Sequence, residues 1–346
     1  MVTITDVARE AGVSKTTVSY VISRPSRVSA ESRDKVRRAM RKLGYTVNHA
    51  ARALSTARSM TLGVLAPAED EASMSITRGA YLCALSNFAR LKGYDLLLLS
   101  DPDGVRAVRD AADARKVDGL IIMDIRRDDP RVRAAVEGGL PTVLLGIPAD
   151  SMGLDEVDTD FERAAVQLVR HFAERGHRDI VLLHSPEGTV DGGANFAVRF
   201  RRSAVAEAER LGVTMRVPVC DADRETGGTA ALPGDPGERL RRALEAFPEV
   251  AGLIIDDDNA ILAAPQVFLE LGVRVPEDMS VAVAVPNALR ARMRIPYTAV
   301  DIDLQSVAEE TVDTLIRRID DASRPAMTRL ISQPLSDRGS VATVSH

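Results

Sequence analysis

The sequence has no tryptophan and only seven Phe and five Tyr among 346 residues. Stacking of unpaired bases on aromatic rings is therefore a poor mechanism for it, and any nucleic acid it binds is expected to be a duplex read by an inserted helix. Cysteine is nearly absent. Cys83 and Cys220 stand in unrelated segments without C-x-x-C or metal-ligand spacing, so both read as reduced, buried thiols. Long apolar runs are missing too: Leu96–Leu99 and Leu120–Met123 have the length of strands, too short to cross a bilayer. No apolar stretch follows Met1, so no signal peptide is expected and a cytoplasmic protein, on the nucleoid when bound to DNA, is. There is no G-x-G-x-x-G after a strand, no G-x-x-x-x-G-K-[ST] and no G-x-S-x-G, and His171, His177 and His184 lack metal-ligand spacing. An enzyme, a metal and a cofactor are all unexpected.

What is present is a sharp division of charge. Residues 1–58 hold 12 Lys+Arg against 4 Asp+Glu, a net +8, whereas the rest holds 33 against 46, a net −13. The whole-chain value of −5 conceals this split. A basic head on an acidic body is the charge pattern of a nucleic-acid-binding module joined to something else. The length allows two or three domains with a substantial core.

The head has a local code. Thr3 and Asp6 form a capping-box-like start, and Ile4, Val7 and Ala8 follow at helical spacing. Gly12 stops this helix, and Ser14 caps the next, KTTVSYVI, which buries Val18, Val21 and Ile22 and turns Lys15, Thr16, Thr17, Ser19 and Tyr20 outward. Val28 and Ser29 open a third helix from about Ala30 to Leu43, with Val36, Met40 and Leu43 apolar and a basic outer face. Two short helices joined by A-G-V-S describe a helix-turn-helix. Base contacts are expected from Lys15, Thr16 and Tyr20; phosphate contacts suit Thr5, Ser14, Thr17, Ser19 and Ser29.

The stretches ITDVAREAGVSKTTVSYVIS and VSAESRDKVRRAMRKLGY resemble the head of the lactose/galactose repressor (LacI/GalR) family at essentially every framework position. The resemblance implies a hinge helix, NHAARALS, from Asn48 to Ser55, that folds when two copies meet on DNA. Asn48 would touch the backbone. Leu54 would wedge into the central minor-groove step, with Ala50 and Ala51 allowing close approach. Two departures stand out: Val47 replaces the family's usual Pro, and Tyr20 replaces an Arg that can read guanine bidentately.

From Met60 the pattern alternates strand and helix. TLGVLAP, YDLLLLS, GLIIMDI and PTVLLG read as strands separated by helices; the rhythm restarts at Phe161 and passes through DIVLLHS, PVC, GLIIDDD and SVAVAV. This predicts parallel sheets covered by helices in two successive lobes, with a ligand cleft between them. GHRDIVLL, GVRVPEDMSVAV and PYTAVDIDLQSVAEETVDTLIRRI continue the resemblance, which implies a body like a periplasmic binding protein crossed three times by the chain, near Asp158, Asp301 and Leu330. The expected organisation is a small all-α helix-turn-helix head (1–46), a hinge and linker (47–59), and an α/β body of two doubly wound lobes (60–346). The first lobe would span about 60–158 and 302–329, the second about 159–301 and 330–340.

In the cleft the resemblance places Ser73, Asp124, Arg199 and Asp257, and Val285 where sugar-binding relatives carry an Asp. On that substitution an apolar, anionic or absent effector is expected rather than a simple sugar. With no room after QPLSDRGS for a leucine-heptad tail, a homodimer is the default. The expected function is a transcriptional regulator, in the sense of a repressor, binding a pseudo-palindromic double-stranded operator under control of an unknown small molecule, with no membrane partner. The alternatives are an activator, or a ligand-binding protein of the same body fold without DNA-regulatory activity.

Overall fold

In the computed structural model the described residues are 2–23, 28–45, 58–66, 76–184, 194–218 and 235–344. The hinge segment with Val47, Asn48, Ala50, Ala51 and Leu54, and also Ser73 and Cys220, lie outside the described residues. The chain divides into two compact units, Met1–Thr61 with Arg115–Asp118, and Leu62–Ala114 with Gly119–His346.

The first unit contains α1 (Ile4–Ala11), α2 (Lys15–Ser23) and α3 (Ala30–Leu43). The sequence folds this way because each helix has its stop and start written beside it. Thr3 and Asp6 close a reciprocal capping box on α1, and Gly12 ends it at φ 64°, a left-handed conformation open to glycine without strain. Ser14 Oγ accepts from the Thr17 amide at 3.0 Å, and Ser29 does the same for Ser32 at 3.3 Å. Val7, Ala8, Val18, Val21, Val36 and Ala39 make the small common core. Lys42 reaches across from α3 to Glu10 at 2.6 Å.

The second unit is built on two six-stranded sheets. The first has the order β11-β5-β4-β3-β1-β2, from β1 (Thr61–Leu65), β2 (Asp95–Leu99), β3 (Gly119–Ile122), β4 (Thr142–Leu145), β5 (Asp155–Thr159) and β11 (Thr328–Ile331). The second has the order β12-β10-β9-β8-β6-β7, from β6 (Asp179–Leu183), β7 (Thr214–Arg216), β8 (Gly252–Ile255), β9 (Ser280–Pro286), β10 (Thr298–Ile302) and β12 (Leu335–Ser336). Only the β10–β12 pair is antiparallel among the pairings resolved in register. The chain leaves the first sheet after β5, returns to it through the helix Leu304–Asp320, and closes with β11 in the first sheet and β12 in the second.

The strand read at PVC runs into Val219 and Cys220, which lie outside the described residues; the described strand before it is Thr214–Arg216. One expectation is corrected here. Cys83, on the helix Ile76–Leu91, is exposed rather than buried.

The two faces of the second sheet feed separate cores. Val281, Val283 and Val285 point to one side, with Leu240, Ile261, Ala264 and Phe268, while Ala282 and Ala284 point to the other, with Leu168, Phe172, Phe200 and Ala204. That is the two-residue alternation of a strand with both faces covered. The helices of this unit begin repeatedly on aspartate: Asp103, Asp129, Asp160, Asp235, Asp257 and Asp303 are all N-caps whose carboxylates accept backbone amides. Six of the body's acidic residues thus serve helix starts, where the charge also complements the helix dipole.

Candidate functional site

The first candidate site is the outer face of α2. Lys15, Thr16 and Tyr20 are exposed, Tyr20 at 41%, while Val18 and Val21 are buried on the opposite side. At about 100° per residue, positions 15, 16, 19 and 20 fall within one half of the helix circumference. Ser14 and Thr17 are engaged with each other, their hydroxyls 2.8 Å apart, so the cap also fixes two hydroxyls at the leading end of α2. Ser29 has the same double duty, bonding Ser32. Thr5 is exposed on α1. On α3, Arg37, Arg38 and Arg41 are exposed beside Lys35, which pairs with Glu31 at 2.8 Å.

The second is a cavity of about 190 Å³ at the carboxyl ends of the strands of both sheets, the place where open α/β sheets hold ligands. Met123, Asp124 and Ile125 follow β3; Leu145 and Gly146 close β4; Asp158 comes from β5. From the second sheet come Asp256, Asp257 and Asp258 after β8, and Ala284 and Pro286 of β9. Of the chain's seven Phe and five Tyr, Phe161, Phe196, Phe200 and Tyr81 line this cavity. Phe161 and Phe196 meet with ring centroids 4.9 Å apart. Gly146 is required by shape, since its φ is 132° and a Cβ there would lie 2.9 Å from Ile125 Cβ.

The polar groups are mostly carboxylates. Asp124 sits at φ 52°, held by Arg78 Nε donating to its carboxylate at 3.0 Å and by Arg131 donating to its carbonyl at 2.9 Å. Asp158 takes the Arg199 guanidinium at 2.6 Å, and Asp256 lies 2.5 Å from His184 Nδ1. Asp257 caps the helix Asp258–Leu271 and pairs with Arg239. Asp258 accepts from the Thr77 hydroxyl, which comes from the other rim of the cavity. Burial pushes the Asp158 carboxyl up to about 6 against the pull of Arg199. Burial also pushes Asp258 up to about 6, with Asp257 and Asp256 adding to it and Thr77 opposing. Tyr81 is raised as well, by burial first and Asp158 second. Among the described residues no group of His, Cys, Asp and Glu could hold a metal ion.

Of the sequence-expected cleft residues, Asp124 and Asp257 line the cavity. Arg199 does not: it stands behind Asp158, its Nε and Nη2 both 2.6 Å from Glu162. Val285 does not either. It is fully buried in the core on the far face of β9, and its neighbours Ala284 and Pro286 reach the cavity instead. The inference drawn from Val285 toward an apolar, anionic or absent effector therefore loses its ground, because that side chain packs in the core and does not line the cavity. Sequence reasoning missed Arg78, Tyr81 and the three phenylalanines. The scarcity of aromatics was a usable signal, since three of them cluster within Phe161 and Phe196–Phe200 at the start of two helices.

Comparison with known proteins agrees with this architecture. The family description "Bacterial regulatory proteins, lacI family" matches residues 3–48, and "Periplasmic binding protein-like domain" matches residues 169–341. The HTH-type transcriptional regulator CelR of Thermobifida fusca is 28% identical over 329 residues, 92% of each chain. Catabolite control protein A of Staphylococcus xylosus is 31% identical over 290 residues, 81% of each chain. The crystal structure of the lac repressor dimer bound to operator and the anti-inducer ONPF has a TM-score of 0.73 at 22% identity, with 99% of each chain covered. That likeness shows a shared fold. Among the described residues no helix is long and apolar enough to cross a membrane.

Proposed function

Since this chain belongs to the lacI family of bacterial regulatory proteins and is a DNA-binding transcriptional regulator, we propose that it is a cytoplasmic repressor rather than an enzyme. It binds a pseudo-palindromic operator as a homodimer, and a small molecule in the cleft sets its affinity for DNA. The observation that carries the DNA half is the division of α2 into a buried Val18–Val21 side and an exposed side with Lys15, Thr16 and Tyr20. In this reading those three side chains meet base edges in the major groove. Thr5, Ser14, Thr17, Ser19 and Ser29 reach phosphates, and the hinge adds Asn48 to the backbone and Leu54 to the minor groove.

The cleft supports the ligand half. Its lining comes from the strand ends of both sheets, so an occupant touching both rims favours one arrangement of the sheets over another. Such differential binding is the only way a ligand can shift DNA affinity.

Electrophoretic mobility shift with DNA upstream of the protein's own gene, at about physiological salt and with or without cell extract, is the direct test. A specific complex that Lys15→Ala weakens is expected. No specific complex under either condition would sink the reading. Transcription that falls rather than rises when the gene is removed would make the protein an activator.

A further inference from the structure

We propose that the cleft selects a ligand carrying a positive charge, an ammonium group held between carboxylates and aromatic rings. This rests on the reading of the cavity as the effector site and names the chemistry of what fills it. Five carboxylates line the cavity, Asp124, Asp158, Asp256, Asp257 and Asp258, and Glu162 stands behind them. Against them are the guanidiniums of Arg78, Arg199 and Arg239 and the imidazole of His184. Each of the three guanidiniums is already committed to a carboxylate, and the His184 imidazole lies against Asp256. Asp258 is left with a neutral partner, the Thr77 hydroxyl, and with the charges of Asp257 and Asp256 beside it. A surplus of negative charge in a partly buried cavity repels an anionic ligand and attracts a cation.

The rings are an independent observation in the same direction. Phe161, Phe196 and Tyr81 line the same cavity, and aromatic faces attract ammonium groups, more strongly as water is excluded. A neutral polyol would use these carboxylates as hydrogen-bond acceptors and leave the surplus charge unanswered. An ammonium answers it.

Isothermal titration calorimetry of the full chain tests this with sets matched in carbon skeleton and differing in charge: glucosamine, glucose and glucuronate; phenethylamine, 2-phenylethanol and phenylacetate; 1,4-diaminobutane, 1,4-butanediol and succinate. In at least one set the amine is expected to bind about tenfold or more tighter than its neutral and acidic counterparts. Asp258→Asn is expected to erase that preference and Asp258→Glu, which keeps the charge, to retain most of it. A neutral or acidic member binding as tightly as its amine overturns the inference and leaves the ligand-responsive regulator standing. Binding by no member overturns the inference and counts against the cleft as a receptor. The operator mobility shift of the same preparation reports separately on DNA binding.

Discussion

Asp258 holds its charge at a cost, and that cost has a sign. Its carboxyl titrates near 6 in the folded chain, above the ordinary 3.8, because it is buried beside Asp257 and Asp256 with only Thr77 in compensation. Between those values the folded state binds the proton more tightly than the unfolded state, so stability from this group falls as pH rises and is lowest above 6. Asp258→Asn removes the penalty. The variant should melt a few degrees above the parent at pH 7.5, on the order of 1–3 kcal/mol, with the gap narrowing from pH 7 to pH 5. A gap independent of pH would show that the charge is not the cause. At the other site, Tyr20→Ala should weaken operator binding by about 1–3 kcal/mol and relax the preference at one base-pair position of each half-site. Uniform weakening across all positions in a substitution series would reassign Tyr20 to the backbone. The two sites were unequally legible. The head is local, so caps, stripe and outward face could all be read from neighbouring letters. Arg78 could not, because its partner Asp124 is 46 positions away and on another element. Val285 misled for a different reason: position along a strand is readable by likeness, but the face it points to depends on a parity that one residue reverses.

At the scale of elements, β5 shows what hydrophobic periodicity cannot see. Its sequence is DEVDT, and all five residues are buried. Each of its three acidic members is satisfied by a distant segment: Asp155 by Arg318, Glu156 by the Thr328 hydroxyl, Asp158 by Arg199. Four polar letters in five read as a loop, and only the partners make it a strand. Arg318 is the tie of this region. It donates to both oxygens of Asp155, at 2.8 and 3.0 Å, and to the carbonyls of Ala322, Arg324 and Pro325, fixing the turn that delivers β11 beside β5. Arg318→Ala leaves the Asp155 carboxylate buried without its cation, with the Met327 amide still donating to it. Breaking a buried pair from one side costs about 3–5 kcal/mol. Urea denaturation should show a loss of that order, carried mainly by a lower midpoint. A change below about 1 kcal/mol would mean that water replaces the guanidinium and that β5 does not depend on it.

On the whole molecule, the division of charge between a head of +8 and a remainder of −13 constrains how DNA binding responds to salt and to ligand. The acidic remainder gains nothing from a polyanion, so counterion release on binding must come from the Lys and Arg of the head. With about six to ten phosphates neutralised by the two heads of a dimer, operator affinity should fall by roughly 10³–10⁵ between 50 and 200 mM salt. Arg37→Ala or Arg41→Ala should flatten that dependence by about one phosphate contact per half-site if the residue meets the backbone. The ligand acts through a different quantity. A cleft occupant that weakens operator binding by some factor, typically about 5–150-fold, must itself bind the operator-bound protein more weakly by that same factor, because the two equilibria share one thermodynamic cycle. Calorimetric titration of the amine into free and operator-saturated protein, with operator titrations in the presence and absence of the amine, at one fixed salt concentration, measures both sides of the cycle. Equal factors place the coupling within a single regulator whose cleft and head report on the same change of state. A ligand that binds both forms equally tightly cannot be the effector, however tightly it binds.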